Sequence, residues 1–351
     1  VKGNRVEPMT RAEQRATVEA LDEVGFWLER GRADTYRIRA YRSAARAVEA
    51  LSDLDFEQLV DAQAWRAVPG FGPSTVEVIS EVLDGKIPSK LAKLRADGEQ
   101  PLASDNELVG QLLGDLHSHT EWSDGAESML TMGRTASQLG RSYLAISDHS
   151  PRLRVANGLS AERLAKQIDQ LHSTQAVLDG EFDDATRLLT AIEVDILADG
   201  SLDQSDAMLG EVEVVVASVH SGLRDDRDTM TKRMISAIAN PHTNVLGHCT
   251  GRRVAGDKLR PPTQFDAELV FAACAQFDVA VEINSRPERC DPPDELIQLA
   301  LDAGCLFSID SDAHAPGQLA FLEYGAERAA RLGVPVERII TTWDLGRLLE
   351  F

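Results

Sequence analysis

The sequence predicts a seven-stranded α/β barrel preceded by a small all-helical module. Three observations carry that expectation. From residue 112 onward, short apolar runs alternate with stretches of helical periodicity. Six of the eight histidines lie at or just after the C-terminal ends of those runs. Charge is also divided unevenly: residues 1–95 hold 15 basic and 15 acidic side chains, whereas residues 96–351 hold 21 and 42, the whole of the −21 net charge. A length of 351 residues fits two domains.

Composition excludes several classes. With 43% apolar and 26% charged residues, the chain has an ordinary globular composition. No apolar run reaches about 18 residues, so a transmembrane helix is not expected. The first residues lack a signal-peptide pattern. Cys249, Cys274, Cys290 and Cys305 form no C-x-x-C pair, which argues against a disulfide framework and for a reducing, cytoplasmic setting. A uniformly basic nucleic-acid binder is excluded. The acidic part would repel anionic substrates unless cations sat in its site.

In the first module, Val18, Leu21, Val24, Phe26 and Leu28 predict a helix over 11–31, with Gly31 as its stop. Arg30, Arg32, Arg37, Arg39, Arg42 and Arg46 follow, opposed by Asp34 alone and interleaved with Tyr36 and Tyr41. Arginines can hold phosphate oxygens while rings stack on bases; a solvated helix face over a core is the other reading. Further on, Val68-Pro69-Gly70-Phe71-Gly72-Pro73-Ser74 lies between two apolar helical segments. Two glycines in a tight turn before a helix free backbone N–H groups for phosphate.

This arrangement resembles a helix-hairpin-helix element that grips the DNA backbone. The resemblance makes Arg37, Arg39, Tyr41, Arg42, Gly70, Phe71, Gly72 and Ser74 candidate DNA contacts. Residues 10–95 are similar to the N-terminal lyase-type domain of family X DNA polymerases, through YRIRAYRSAARAVEAL and AVPGFGPSTVEVISEVLDGKIP. Val78 stands where lyase-active relatives carry a Schiff-base lysine, so lyase chemistry is not carried over. No GS-x-R-R segment with paired Asp residues follows between 95 and 112, so no polymerase palm is expected. Polar residues 96–111 read as a linker to a module spanning 112–351.

The apolar runs of that second module are Leu112–Leu116, Tyr143–Ser147, Leu188–Val194, Val212–Val219, Val245–Gly247, Val279–Ile283 and Leu306–Ile309. Helical patterns occupy 127–140, 160–179, 229–240, 264–277 and 292–304. Seven βα units in this length suggest a closed barrel rather than a doubly wound sheet. His117 and His119 follow the first run, His149 the second, Glu193 ends the third, His220 the fourth, and His248 follows the fifth. Asp312 and His314 follow the seventh. A barrel builds its site at these ends. Imidazoles and carboxylates together suit Zn²⁺, Mn²⁺ or Fe. In an extended H-x-H, His117 and His119 point the same way and can share an ion.

H-x-H-x-x-x-x-D-G with the later E, H, H and D-x-H resembles the PHP (polymerase and histidinol phosphatase) superfamily over about residues 113–351. The resemblance implies a distorted (β/α)7 TIM-like barrel and three divalent metal ions, Mn, Zn and/or Fe. Carried over residue by residue, His117, His119, Glu193 and Asp312 match one metal position. Glu193, His220 and His248 match a second, with Glu193 bridging. Asp124, His149 and His314 match a third. The resemblance also favours Arg252, in GHCTGRR, as a phosphate ligand, so Glu193, Arg252 and Asp312 are the expected catalytic residues.

Asn284 and Arg289 are candidate substrate contacts. Asp115, Asp148 and Asp195 either orient imidazoles or cap strand ends. Trp122 either packs or stacks on a base. His172 and His242 have no expected role.

SVHS, LGHCTGR and TTWDLGRLLEF resemble the PHP module of bacterial family X polymerases. That resemblance implies a Mn²⁺-favouring 3′–5′ exonuclease or DNA end-processing activity, with DNA as partner. A histidinol-phosphatase-like monoesterase acting on a small phosphate ester is the alternative, and a non-catalytic DNA-binding scaffold the third reading. No membrane partner is expected.

Overall fold

A computed structural model describes residues 9–104, 107–256 and 258–351. The chain splits into two compact units, Val1–Pro101 and Leu102–Phe351.

In the first unit the described residues form helices α1 (Met9–Arg30), α2 (Thr35–Glu49), α3 (Asp53–Ala62), α4 (Pro73–Leu83) and α5 (Ser89–Gly98). Leu21, Val24 and Leu28 of α1 are buried at helical spacing. The Gly31 N–H donates to Trp27 O (3.0 Å) just past the α1 C-terminus. Asp34 caps α2 by accepting the Tyr36 N–H, and Ser52 caps α3 through the Asp55 N–H. Phe56, Trp65, Phe71, Val78 and Ile79 complete the core. Gly70 stands at φ +86°, a conformation that glycine adopts without cost. α4 then starts at Gly72 with Pro73 in its first turn and no side-chain cap.

The structure corrects three of the expected DNA contacts. Arg42 is only 3% exposed; its Nη2 donates to Glu29 Oε2 (2.7 Å) and its Nη1 to Asp22 Oδ1 (3.0 Å). Tyr41 is buried, with its hydroxyl 2.6 Å from Ser74 Oγ. Phe71 is buried too, stacked on Trp65 with centroids 6.3 Å apart. Tyr41 and Arg42 lie on the side of α2 that faces the core, so they hold the module together. Arg37 and Arg39 are exposed, as is Tyr36.

The segment expected as a linker, 96–111, is partly ordered into both units. α5 runs to Gly98, the Leu102 N–H donates to Glu323 Oε2 (2.6 Å), and Val109–Gln111 forms a 3₁₀ turn. Residues 105 and 106 lie outside the described residues.

In the second unit, strands β1 (Gly114–Asp115), β2 (Tyr143–Ile146), β3 (Arg187–Asp195), β4 (Val214–Ser218), β5 (Val245–Leu246), β6 (Ala280–Asn284) and β7 (Phe307–Asp310) pair in sequence order. Every pairing is parallel. A parallel bridge between Ser118 and Ala313 links the segments just beyond β1 and β7, bringing the sheet nearly to closure. Helices such as Met129–Gln138, Ala161–Glu181, Arg227–Ile238, Ala267–Gln276 and Asp294–Asp302 return the chain between strands.

Strand alternation separates two cores. Leu189 and Ala191 of β3, with Tyr143, Val214, Val216 and Val245, pack with Ile340, Trp343 and Leu348. Ile192 and Val194 pack instead with residues of the surrounding helices, including Met230, Met234 and Phe271. Glu193 therefore shares the inward face with Leu189 and Ala191. The Tyr143 hydroxyl donates to Trp343 O (3.1 Å), so the segment around 340–348 is hydrogen-bonded to the entry end of β2.

Arg42→Ala should destabilise the chain by about 3–5 kcal/mol, because it removes the guanidinium that neutralises the buried Glu29 carboxylate. Denaturant unfolding of the full chain measures this. The double change Arg42→Met with Glu29→Met should recover most of the loss. A single-variant cost below about 1 kcal/mol would show that the pair carries no structural weight.

Candidate metal centre

Each expected ligand stands at the C-terminal end of a strand or in the loop after it. Glu193 lies in the middle of the group. Its Oε2 is 3.4 Å from His117 Nε2, 3.7 Å from His119 Nε2 and 2.7 Å from His149 Nδ1. Its Oε1 is 3.2 Å from His220 Nε2 and 2.8 Å from His248 Nε2. The two carboxylate oxygens thus face two different sets of imidazoles. His119 Nε2 is also 3.4 Å from Asp312 Oδ1. Asp124 Oδ1 stands 3.4 Å from His149 Nε2 and 3.5 Å from His314 Nε2. The structure therefore brings together all nine residues singled out as ligands.

Most of this cluster is sealed from solvent. The exceptions form one edge, where the Asp124, His314 and His220 side chains are 37%, 23% and 14% exposed.

The electrostatics follow from burial and mutual proximity. Burial pushes the Glu193 carboxyl up, but the surrounding His220, His149 and His117 outweigh it and hold the group well below the usual range. Burial opposes protonation of His149, yet Glu193 and Asp124 raise it to about 10. His314 goes the other way: burial, His119 and Arg286 all press it well down. Asp312 is held well below the ordinary range because Arg289 and His119 overcome its burial.

The donor set fits divalent cations. His119 Nδ1 and His248 Nδ1 are buried with no partner, and His117 Nε2, His119 Nε2 and His149 Nδ1 face carboxylate oxygens at 2.7–3.4 Å without the geometry of a hydrogen bond. Unpaired imidazole and carboxylate atoms in a closed space are costly unless something else satisfies them. The groups His119/Asp124/His149/His314, His117/His119/Glu193 and His149/Glu193/His220 each bring ligand atoms within 4.8 Å of one another. These residue types at these spacings can hold metal ions.

The supporting residues differ from expectation. Asp115 accepts the His117 and Ser311 N–H groups (both 3.1 Å), and Asp148 accepts from Thr120 N (2.8 Å), Thr120 Oγ1 (2.6 Å) and Gln167. Both therefore tie loops together rather than orient rings. Asp195 does approach a ring, 3.4 Å from His220 Nδ1.

Glu282 on β6 is the residue that sequence reasoning missed. It is fully buried, its Oε1 lies 2.6 Å from His117 Nδ1, and its Oε2 accepts the His248 N–H. A glutamate inside the apolar run VEIN was the available signal.

The arginines are also corrected. Arg252 uses its Nε on Arg289 O (3.2 Å) and Cys290 O (3.0 Å), bracing a loop. Arg289 Nε reaches Asp312 Oδ2 (3.0 Å) instead, and Asn284 Nδ2 donates to the same oxygen (3.1 Å). Arg286, not anticipated, donates to Asp312 O (3.0 Å) and lies 2.9 Å from His314 Nδ1. The Trp122 ring lies under the Arg163 guanidinium, 5.9 Å from its centroid. His172 is exposed on its helix, and His242 lies ahead of β5, away from the cluster's strand ends.

The second unit is thus a nearly closed parallel seven-stranded barrel with a buried histidine–carboxylate cluster at its strand ends. Residues 13–86 match the family model of the helix-hairpin-helix domain, which lies ahead of the barrel. Over 225 residues the chain is 37% identical to the DNA polymerase/3′-5′ exonuclease PolX of Bacillus subtilis (strain 168). That match covers 64% of this chain and 38% of the relative, so the chain spans well under half of that protein's length. It is 26% identical over 252 residues to a probable phosphatase of Thermoanaerobacter sp. (strain X514), covering 69% of this chain and 94% of the relative. A histidinol phosphate phosphatase from Lactococcus lactis, solved with zinc, L-histidinol and phosphate, aligns with a TM-score of 0.44 and 17% identity, over 63% of this chain and 92% of that one.

Glu282→Gln should lower affinity for divalent metal by about 10–100-fold, since ring-orienting partners contribute on that scale. Metal content after dialysis against graded chelator reads this directly. Wild-type retention in the variant would exclude an orienting role for Glu282.

Proposed function

We propose that this chain is a metal-dependent phosphoesterase that acts on DNA, as a 3′–5′ exonuclease or related end-processing enzyme. The observation that carries the reading is a buried cluster of nine histidines and carboxylates, seven of them in groups close enough to hold an ion, in a chain that also bears a helix-hairpin-helix domain. His117, His119, Glu193 and Asp312 would hold one ion. Glu193, His220 and His248 would hold a second, and Asp124, His149 and His314 a third. Mn, Zn and Fe all suit these donors. Bound divalent ions supply Lewis acidity for phosphoryl oxygens and acidify water near neutral pH.

The protein's own part is positional. Glu193 presents one oxygen to each of two imidazole sets, which suits it to bridge. Asp312 is fixed from two sides by Arg289 and Asn284, so its free oxygen faces His119. Arg289 puts a guanidinium beside the centre, where negative charge grows as a phosphate ester is attacked. The partly exposed edge at Asp124, His220 and His314 is the side from which a phosphate enters. In the helical module, exposed Arg37 and Arg39, with the uncapped start of α4 at Gly72, offer cations and backbone N–H groups to a phosphate backbone. That module supplies affinity that residues 96–351, with their net charge of −21, lack.

A monoesterase of small phosphate esters is the alternative. It is favoured by similarity over 94% of a probable phosphatase's length and by the acidity of the barrel.

Two measurements decide. With Mn²⁺ added, end-labelled single-stranded DNA should be shortened stepwise, and Glu193→Gln should slow this by at least about 10²-fold. DNA left intact while histidinol phosphate releases phosphate would replace the DNA reading with the monoesterase one. Separately, Arg37→Ala and Arg39→Ala should each reduce the slope of log binding constant against log salt by about 1 without altering metal content. Slopes equal to wild type would remove α2 from the DNA interface.

A further inference from the structure

Beside the metal cluster lies a second concavity of about 450 Å³, within the range of small-ligand sites. It sits between the segment after β6, the start of helix Asp294–Asp302 and helix Leu322–Arg331. Asn284 and Arg286 belong to both places: they line this cavity, and both donate to Asp312. Arg252, Arg328 and Arg331 bring three more guanidinium groups to its wall. The opposing carboxylates are Asp294, Glu295 and Glu327. Asp294 is engaged by Arg328 (3.0 Å) and Arg331 (2.8 Å), and Glu327 by Arg331 (3.2 Å). Arg286 is paired with Glu288 (2.7 Å), and the wall still gathers four guanidinium groups within a chain that is acidic as a whole.

A second observation is independent of the charge count. Two of the lining residues are more than nine-tenths buried and hold polar atoms without a partner: Ser285 Oγ and Arg328 Nη1. Arg328 Nη1 can only donate, and a serine hydroxyl donates readily. The missing complement is an oxygen acceptor. A guanidinium-rich wall selects an anionic one, and phosphate matches the fork of an arginine best.

We propose that this cavity is a phosphate-binding subsite separate from the metal centre. Its existence does not depend on the phosphoesterase reading. Its use rests on that reading: it would hold either the phosphate next to the scissile one on a strand, or phosphate released from the centre.

The test uses the full chain stripped of metal by chelator, so that phosphate at the metal centre does not contribute. Titration calorimetry with inorganic phosphate, at constant ionic strength and with chloride as control, should show one binding event. Arg331→Glu, a change at a half-exposed side chain that should leave the fold intact, should weaken it about tenfold or more. Arg328→Lys should weaken it too, and Glu193→Gln should leave it unchanged. Absence of binding in the stripped protein would overturn the proposal, as would binding indifferent to Arg331→Glu or abolished by Glu193→Gln.

Kinetics on the metal-loaded protein then separate the two sources. In Arg331→Glu, a raised KM for a trinucleotide but not for bis(4-nitrophenyl) phosphate identifies the strand's neighbouring phosphate. Weakened product inhibition with both KM values unchanged identifies released phosphate. A chain that binds phosphate in the cavity yet leaves DNA intact would refute the DNA reading alone.

Discussion

A buried carboxylate with five imidazoles around it is the constraint on which the second unit depends. Glu193 is placed there by strand alternation on β3, which sends Ile192 and Val194 outward to the helices and Glu193 inward. So many ring nitrogens in a sealed space cannot all find hydrogen bonds from one another. Burial makes each unpaired atom expensive, and proximity drives neighbouring histidines in opposite directions, His149 towards its charged form and His314 towards neutrality. A packed core would not keep such a cluster for stability alone. The cost is characteristic of a functional site, and the surrounding residues are arranged to hold it. Glu282 fixes a ring nitrogen of His117, and Arg289 and Asn284 fix Asp312.

The two units meet opposite electrostatic requirements. The barrel concentrates acidic groups, which suits cation binding and disfavours approach of a polyanion. The helical module is charge-neutral overall but exposes Arg37 and Arg39 in the first turns of α2 while burying Arg42 in an ion pair. Under the proposed function, attraction for nucleic acid and the chemistry of phosphate esters fall to different parts of one chain. In the barrel, cationic side chains gather locally beside the cluster, at Arg286, Arg289 and the cavity wall.

The strands and the clustered histidines were legible because both leave short, repeated signatures. Seven apolar runs and six histidines at their ends are visible in one dimension, and parallel β-strands must be apolar along their length to be covered on both faces. The residues that support the ligands were not legible. Glu282 and Asp115 are both acidic residues in apolar runs, and only the fold distinguishes the one that meets an imidazole from the one that ties a loop. Arg252 and Arg289 likewise lie in polar loops of similar composition. Which guanidinium meets Asp312 depends on the path of the 285–293 loop, and that path has no local sequence signature. Tyr41 and Arg42 in α2 fail for a related reason: they sit on the face whose partners, Ser74 and Glu29, belong to other helices.

The segment around Ile340, Trp343 and Leu348 packs on the inward-facing residues, Tyr143 hydrogen-bonds to its backbone, and the Leu113 N–H donates to Thr341 O. Strands adjacent in sequence pair through short separations, but these last contacts join positions more than 190 residues apart. During vectorial synthesis the β1 edge and the inward faces of the early strands must therefore wait for residues beyond 340 before they are covered. Partly made chains expose an apolar interior and an unpaired strand edge for that whole interval. The ligands from β1 and β7 are assembled under the same condition, so a complete metal centre can form only after nearly all of the barrel has been made.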